Sequence, residues 1–193
     1  MTTLLNTQAW KMALGVVAGV LTIAAYTVSA GDKPKEVQRT TGTTFNVVSV
    51  NHTCLTVSDL DLMIRFFVEC LGMKLEVRQP VPKVIERLMD IPNIEVEQAF
   101  LKGGGNRIEL LCYKSPPDRK VISSRPIDTG SVHLGVYVDD AKAAVKKASA
   151  YGFALMGEFV EIDIAGNSSP VKAVAWMRNA DGITVEFLEI RKP

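Results

Sequence analysis

The pattern of apolar and polar positions repeats itself between residues 45 and 193. Each repeat opens with a segment of alternating apolar and polar residues, at residues 50–57 and 132–138, which predicts a β-strand. Apolar residues then recur at helical spacing over residues 60–70 and 141–150. Three further β segments follow in each repeat, the last two joined by a turn rich in Gly or Asn. The pattern therefore predicts βαβββ twice in succession, which is an α+β fold.

The residues at the predicted helix ends support this assignment. Asp59 in the first repeat, and Asp139 or Asp140 in the second, stand where a helix N-cap is expected. Gly72 and Gly152 stand where a helix ends in a left-handed residue. Both predicted helices thus begin after an N-capping aspartate and end at a glycine that can adopt the left-handed conformation.

Residues 1–30 have the features of a secretory signal peptide. They carry one charge, Lys11, then a long apolar run, and the small residues Val28 and Ala30 predict cleavage after Ala30. The alternative is an uncleaved membrane anchor, because the apolar run is only slightly shorter than the roughly 20 residues that a spanning helix needs. We therefore expect an exported protein, periplasmic or secreted, or in the alternative one anchored to the membrane by this segment.

The rest of the chain is predicted to be a polar linker followed by a single domain. One insertion, residues 81–93, occurs in the first repeat alone and is predicted to form a short helix or a flap. The predicted parts are the polar linker (31–44) and the domain (45–193), which consists of module one (45–114), a linker (115–128) and module two (129–193).

Composition and charge narrow the possible partners. With 47% hydrophobic residues the chain is suited to a packed core, and 22 basic against 21 acidic residues leave a net charge of +1. Such a chain has no strong field to attract nucleic acid. We expect a small-molecule partner, no nucleic acid, and a membrane only if the N-terminal segment stays uncleaved.

The two histidines are the main evidence for chemistry. His52 and His133 are the whole histidine content, and each lies seven residues before an aspartate at the same point of its repeat. Period-two alternation turns both away from the side of the strand that packs on the helix. Glu109 and Glu186, on the last strand of each repeat, point the same way, where burial without a partner costs several kcal/mol.

Two imidazoles and two carboxylates make a ligand set for one divalent metal ion, with Zn, Ni, Co, Mn and Fe all compatible. The alternative is that the histidines are ordinary strand residues and that the glutamates pair with Arg107 or Lys172. Because four such residues recur at equivalent positions, we favour the metal site.

The repeat resembles the vicinal oxygen chelate superfamily, which comprises glyoxalases, bleomycin-resistance proteins and extradiol dioxygenases. The resemblance covers nearly all of residues 45–190 and is specific for the superfamily rather than for one member. The matching motifs are His52 to Asp59 with Phe66-Phe67 and Leu71-Gly72, the strand Arg107-Ile-Glu109-Leu-Leu, His133 to Asp140, and Asn179-Ala-Asp181-Gly182-Ile-Thr-Val-Glu186.

The resemblance implies a curved sheet around a metal-containing cavity, with the ion held by His52, Glu109, His133 and Glu186. It also implies a substrate that chelates the ion through neighbouring oxygens. Glu186 is the first candidate for a catalytic base that moves a proton next to a carbonyl, and Glu109 is the second. A homodimer is expected, and the site can lie within one chain or across the dimer.

Three functions remain open within this resemblance. Four protein ligands favour glyoxalase-like isomerase or lyase chemistry over an Fe(II) extradiol dioxygenase, which uses two histidines and one glutamate. Methylmalonyl-CoA epimerases usually carry glutamine where this chain has Glu109. A non-catalytic small-molecule-binding or resistance protein is the third function. Export disfavours glutathione and coenzyme A thioesters, which are chiefly cytosolic.

Overall fold

The computed structural model describes Phe45, residues 47–162 and residues 170–191. The described residues from Asn51 onward belong to one compact unit, and those before it belong to a separate unit. The predicted signal peptide and the polar linker at 31–44 lie outside the described residues. Among the residues that are described, no helix is both long and apolar enough to cross a membrane.

The first repeat forms the predicted β-α-β-β-β order with one extra helix, and the insertion supplies that helix. Its elements are β1 (Thr53–Thr56), α1 (Leu60–Arg65) continued by a π-helical turn (Phe66–Cys70), β2 (Lys74–Pro80), α2 (Val84–Met89), β3 (Glu95–Gly103) and β4 (Asn106–Ser115).

The second repeat has the same order, but the strand predicted at 154–161 is divided into two short strands. Its elements are β5 (Leu134–Val138), α3 (Ala141–Ser149), β6 (Ala154–Leu155), β7 (Val160–Glu161), β8 (Val171–Arg178) and β9 (Thr184–Ile190).

The helix ends are formed by the residues that the sequence predicts. The Asp59 side chain accepts a hydrogen bond from the backbone N–H of Leu62, and Asp140, rather than Asp139, caps α3. Gly72 and Gly152 have φ values of 71° and 83°, so both adopt the left-handed conformation. The α+β fold of two modules is confirmed.

The strands form two curved sheets that do not close into a barrel. Their orders are β1-β4-β3-β2 and β5-β9-β8-β6, with β7 also paired to β8. In each sheet the first strand of the module runs parallel to the last one. Within the described residues, β1 and β5 stand at the ends of these strand orders and have a strand partner on one side only, so they are edge strands.

One hydrophobic core joins the two modules through their helices. Phe66 of module one is fully buried and stacks on Phe153 of module two with 4.3 Å between ring centroids. The Tyr151 hydroxyl donates a 2.7 Å hydrogen bond to Glu69, which adds a polar contact between the modules. Each sheet turns one face to this core. The opposite face of each sheet, which points away from the core, is called its outer face.

The linker between the modules packs on the turn before β9. Arg178 donates a hydrogen bond of 2.6 Å from Nη1 to the backbone carbonyl of Ser124. Gly182 has a φ of 81°, and a Cβ atom at this position would overlap the carbonyl oxygen of Ile122. The turn therefore requires glycine for two reasons, its backbone conformation and the close approach of the linker.

We expect Gly182→Ala to lower the free energy of unfolding by more than the ~1–2 kcal/mol that the left-handed conformation alone costs an alanine. Gly152→Ala is the matched control, because Gly152 has a similar φ of 83° but open space around its Cβ position. Urea denaturation of both variants measures the difference. Equal losses in the two variants would show that the linker yields without cost.

Candidate metal centre

Alternation along β4 and β9 places one glutamate on each outer face. Ile108 and Leu110 are 4% and 0% exposed and face the core, so Glu109 between them faces outward. Glu186 lies on β9 between two residues that are fully buried. Both carboxylates thus lie where the sequence predicts them.

In module one, His52 and Glu109 form an imidazole–carboxylate pair. The distance from His52 Nε2 to Glu109 Oε2 is 3.0 Å, and the side chains are 33% and 12% exposed. The contact follows from strand pairing, since His52 directly precedes β1 and β1 pairs with β4, the strand of Glu109. Phe100 on β3 touches the imidazole edge-on, with 5.4 Å between ring centroids.

Asn51 and Arg107 fix the orientation of the His52 ring. The Asn51 Oδ1 atom lies 2.7 Å from His52 Nδ1 and 3.0 Å from Arg107 Nη1. Because a guanidinium can only donate, the shared Asn51 atom is the carbonyl oxygen, and His52 Nδ1 must carry the proton. Arg107 is itself held by Glu76 at 2.7 Å and by the Phe100 ring at 4.0 Å.

This orientation suits a metal ligand. With its proton on Nδ1, a neutral His52 presents the lone pair of Nε2 to an oxygen of the Glu109 carboxylate. The nitrogen and the oxygen then repel each other unless a cation or an added proton lies between them. Imidazole nitrogen and carboxylate oxygen are both ligands of first-row divalent ions. The pair therefore fits two of the ligand positions around such an ion.

In module two, His133 and Glu186 form an equivalent pair. The distance from His133 Nε2 to Glu186 Oε2 is 3.4 Å, and the side chains are 41% and 19% exposed. Trp176 on β8 contacts both residues: its Nε1–H donates to Glu186 Oε1 at 2.8 Å, and its ring lies 4.5 Å from the His133 ring.

The structure brings the four predicted ligands together as two pairs rather than as one cluster. Across residues 51–162 and 170–191, no three His, Cys, Asp or Glu side chains lie close enough to share an ion. The two pairs lie on different sheets, the first where β1 pairs with β4 and the second where β5 pairs with β9. The four-ligand set stays a prediction, and both places that the sequence analysis allows for it, within one copy or across a dimer, remain open at this point.

The alternative partners for the glutamates are engaged elsewhere. Arg107 forms its ion pair with Glu76 at 2.7 Å, and Lys172 pairs with Glu189 at 2.6 Å. The alternative pairing of Glu109 or Glu186 with Arg107 or Lys172 is therefore wrong.

The surroundings of the two carboxylates differ. Cys54 on β1 lies opposite Glu109, and burial, followed by the nearby Glu109 carboxylate, raises the pKa of the Cys54 thiol to about 12. The thiol thus stays protonated at neutral pH and can donate a weak hydrogen bond to Glu109. In module two the equivalent position on β5 is Gly135, which has no side chain to donate.

Three residues of these pairs' surroundings were not predicted from the sequence: Asn51, Arg107 as a partner of Asn51, and Trp176. Asn51 has no counterpart in the repeat, because Val132 precedes the second histidine. An aromatic residue does recur nine or ten positions before each glutamate, as Phe100 and Trp176, and this spacing could have drawn attention to Trp176.

Comparisons with known proteins agree on one family. A model described as the glyoxalase/bleomycin resistance protein/dioxygenase superfamily matches residues 49–187. The chain is 28% identical over 145 residues to a putative lactoylglutathione lyase of Brassica oleracea, covering 72% of this chain and 43% of the relative. The chain thus spans less than half the length of that curated relative.

Two further matches extend over most of the other protein. The chain is 30% identical over 152 residues to a 2-epi-5-epi-valiolone epimerase from Actinomyces, covering 74% of this chain and 80% of the relative. Among solved structures, a glyoxalase family protein from Bacillus cereus is 24% identical with a TM-score of 0.65, covering 77% of this chain and 98% of that one. The second match supports the fold.

Proposed function

Because the chain belongs to the glyoxalase/bleomycin resistance protein/dioxygenase superfamily, we propose that it is a divalent-metal-dependent, glyoxalase-like enzyme of the isomerase or lyase type, acting on a small molecule. The observation that carries the proposal is the pair of Nε2–Oε2 contacts at repeat-equivalent positions. The relatives named as a lyase and an epimerase support redox-neutral chemistry over oxygen activation.

His52, Glu109, His133 and Glu186 would hold the ion. A bound divalent ion would supply Lewis-acid polarisation of a substrate carbonyl or hydroxyl oxygen. The N₂O₂ donor set is compatible with Ni, Co, Zn, Mn or Fe and leaves one or two positions for substrate oxygens. The substrate is accordingly a compound with neighbouring oxygen atoms.

We place the complete site between two copies of the chain. Each histidine directly precedes an edge strand, His52 before β1 and His133 before β5. If β1 of one copy lies beside β5 of another, the outer faces of the two modules form one continuous lining, and the two pairs converge. A closed homodimer makes two such sites, each with one pair from either copy.

The proposed proton carrier is Glu186, with Glu109 as the second candidate. The carboxylate takes a proton from the carbon next to the polarised carbonyl and returns it to the same or the neighbouring carbon, so that no electrons leave the substrate. The two glutamate side chains are 12% and 19% exposed, which limits the access of water to the proton being moved.

We also propose that the chain is exported, on the basis of residues 1–30 alone. An exported enzyme would meet free small carbonyl, hydroxy-acid or aromatic diol compounds rather than glutathione or coenzyme A thioesters. These compounds are the first substrates to screen, with glutathione hemithioacetals as the comparison.

Metal analysis of the untagged full chain tests the proposal. We expect about one divalent ion per chain by plasma mass spectrometry, a lower content in Glu109→Ala, and almost none in the double variant His52→Ala/His133→Ala. Glu161→Ala is the matched control, because Glu161 is exposed and its ion-pair partner, Lys142, belongs to neither histidine–glutamate pair.

The absence of stoichiometric metal after reconstitution with each ion would overturn the enzyme proposal and favour a small-molecule-binding protein. Iron that survives Glu109→Ala would instead favour the extradiol dioxygenase, since that chemistry needs three protein ligands.

A further inference from the structure

Trp176 is placed to control one carboxylate of the proposed site. On β8 it is the register partner of Glu186, so the two side chains lie side by side on the outer face of module two. Its indole N–H donates to Oε1 of Glu186 at 2.8 Å, while Oε2 is the oxygen that faces His133. Each oxygen of the carboxylate therefore has a separate partner.

The same ring also limits the orientation of His133. The centroids of the indole and the imidazole are 4.5 Å apart, and the two planes are inclined by 41°. His133 is the more exposed of the two histidines, with 41% of its side chain accessible. Contact with a large rigid ring thus restricts a side chain that solvent leaves otherwise free.

Module one has the aromatic ring without the donor. Phe100 occupies the equivalent register position opposite Glu109, and its ring touches His52. The phenylalanine side chain has no N–H, and the group beside Glu109 is the thiol of Cys54, a weak donor. The repeat has therefore kept the ring contact in both modules and provides the strong donor in the second.

We propose that Trp176 is a positioning residue that fixes Glu186 as a one-oxygen ligand. By occupying Oε1, the indole leaves Oε2 as the oxygen for the ion, and it lowers the freedom that Glu186 would lose on binding. Trp176 acts through Glu186 and His133 and does not itself touch the reacting atoms. The inference rests on the proposed metal site and names a determinant of its affinity.

Metal affinity of Trp176→Phe is the first test, because this substitution keeps an aromatic ring beside His133 and removes the N–H. Titration of the untagged full chain with Co²⁺ and Ni²⁺ against a competing chelator should show about a tenfold or larger loss of affinity, the range found for removal of a group that orients a ligand. The same substitution in a Glu186→Ala background should have little further effect. Equal losses in both backgrounds would overturn the inference, since Trp176 would then act without Glu186.

The second test does not depend on metal binding. The chain has two tryptophans, Trp10 and Trp176, so a Trp10→Phe variant has a single indole signal in a ¹H–¹⁵N spectrum. In the metal-free protein, Glu186→Ala should shift this signal upfield and speed the exchange of the indole proton, as expected for a lost hydrogen bond, whereas Glu161→Ala, at an exposed carboxylate paired with Lys142, should leave it in place. An unchanged signal in Glu186→Ala would overturn the contact.

The two tests separate the two hypotheses. If the wild-type chain binds no ion but Glu186→Ala shifts the indole signal, the proposed function fails and the contact stands. If the wild-type chain binds an ion and Trp176→Phe binds it equally well, the function stands and the positioning role fails.

Discussion

Mixing two inactive variants of the chain should restore metal binding. One variant carries His52→Ala and Glu109→Ala and lacks the pair of module one, and the other carries His133→Ala and Glu186→Ala and lacks the pair of module two. Each variant alone should bind almost no metal, because every site of its homodimer has one pair missing. A mixed dimer contains one site with both pairs intact and one site with neither.

The expected recovery follows from counting. Random pairing makes about half of the dimers mixed, and each mixed dimer has one of its two sites, so co-expression should restore about one quarter of the wild-type metal content. The measurement is the metal content of the protein after co-expression of the two variants. In a second preparation the variants are purified and stripped of metal separately and then mixed, which tests whether homodimers exchange chains. A site built within one copy predicts no recovery, and native mass spectrometry distinguishes that result from a failure to form mixed dimers.

Glu186→Gln should slow proton transfer strongly while leaving part of the metal binding. The amide oxygen can still serve as a ligand, but the amide cannot accept a proton at neutral pH, and loss of a general base typically costs about 10²–10⁴-fold in rate. The measurement is deuterium uptake from D₂O at the carbon next to the carbonyl, followed by NMR with metal-loaded protein over the proposed substrates.

Glu109→Gln is the informative comparison for that measurement. Since the resemblance implies that methylmalonyl-CoA epimerases carry glutamine at the position of Glu109, we expect a smaller loss of rate there than in Glu186→Gln. Glu161→Gln, on an exposed side chain paired with Lys142, should leave the rate unchanged. A larger loss in Glu109→Gln would assign the base to Glu109, and equal rates in all three variants would remove both glutamates from the proton transfer.

The parts of the structure that follow from local periodicity were predictable. The alternation around Ile108 and Leu110 places Glu109 on the outer face, and the cap residues Asp59 and Gly72 delimit the first helix without reference to the rest of the chain. Because both repeats follow the same rules, the βαβββ order could be predicted from each of them. These features depend on residues within a few positions of one another.

The features that depend on which residues meet across neighbouring strands were not predictable. The contact of Arg107 with Asn51 joins residues 56 positions apart, and that of Trp176 with Glu186 depends on how β8 pairs with β9. The division of the predicted strand at 154–161 into β6 and β7 depends likewise on separate pairing of each piece with β8. Periodicity indicates which face a side chain occupies, but not which neighbour it meets across the sheet.

The edge strands β1 and β5 also bear on how far association of the chain proceeds. Each edge has backbone N–H and C=O groups directed away from its sheet, and uncovered edges of this kind allow further chains to add in open-ended series. In the proposed homodimer, β5 of one copy would cover β1 of the other, and neither of these two edges would accept a third chain. In this proposal the contact that brings the metal ligands together would also cover two strand edges that favour open-ended association, and dilution that separates the copies would remove the metal site and this cover together.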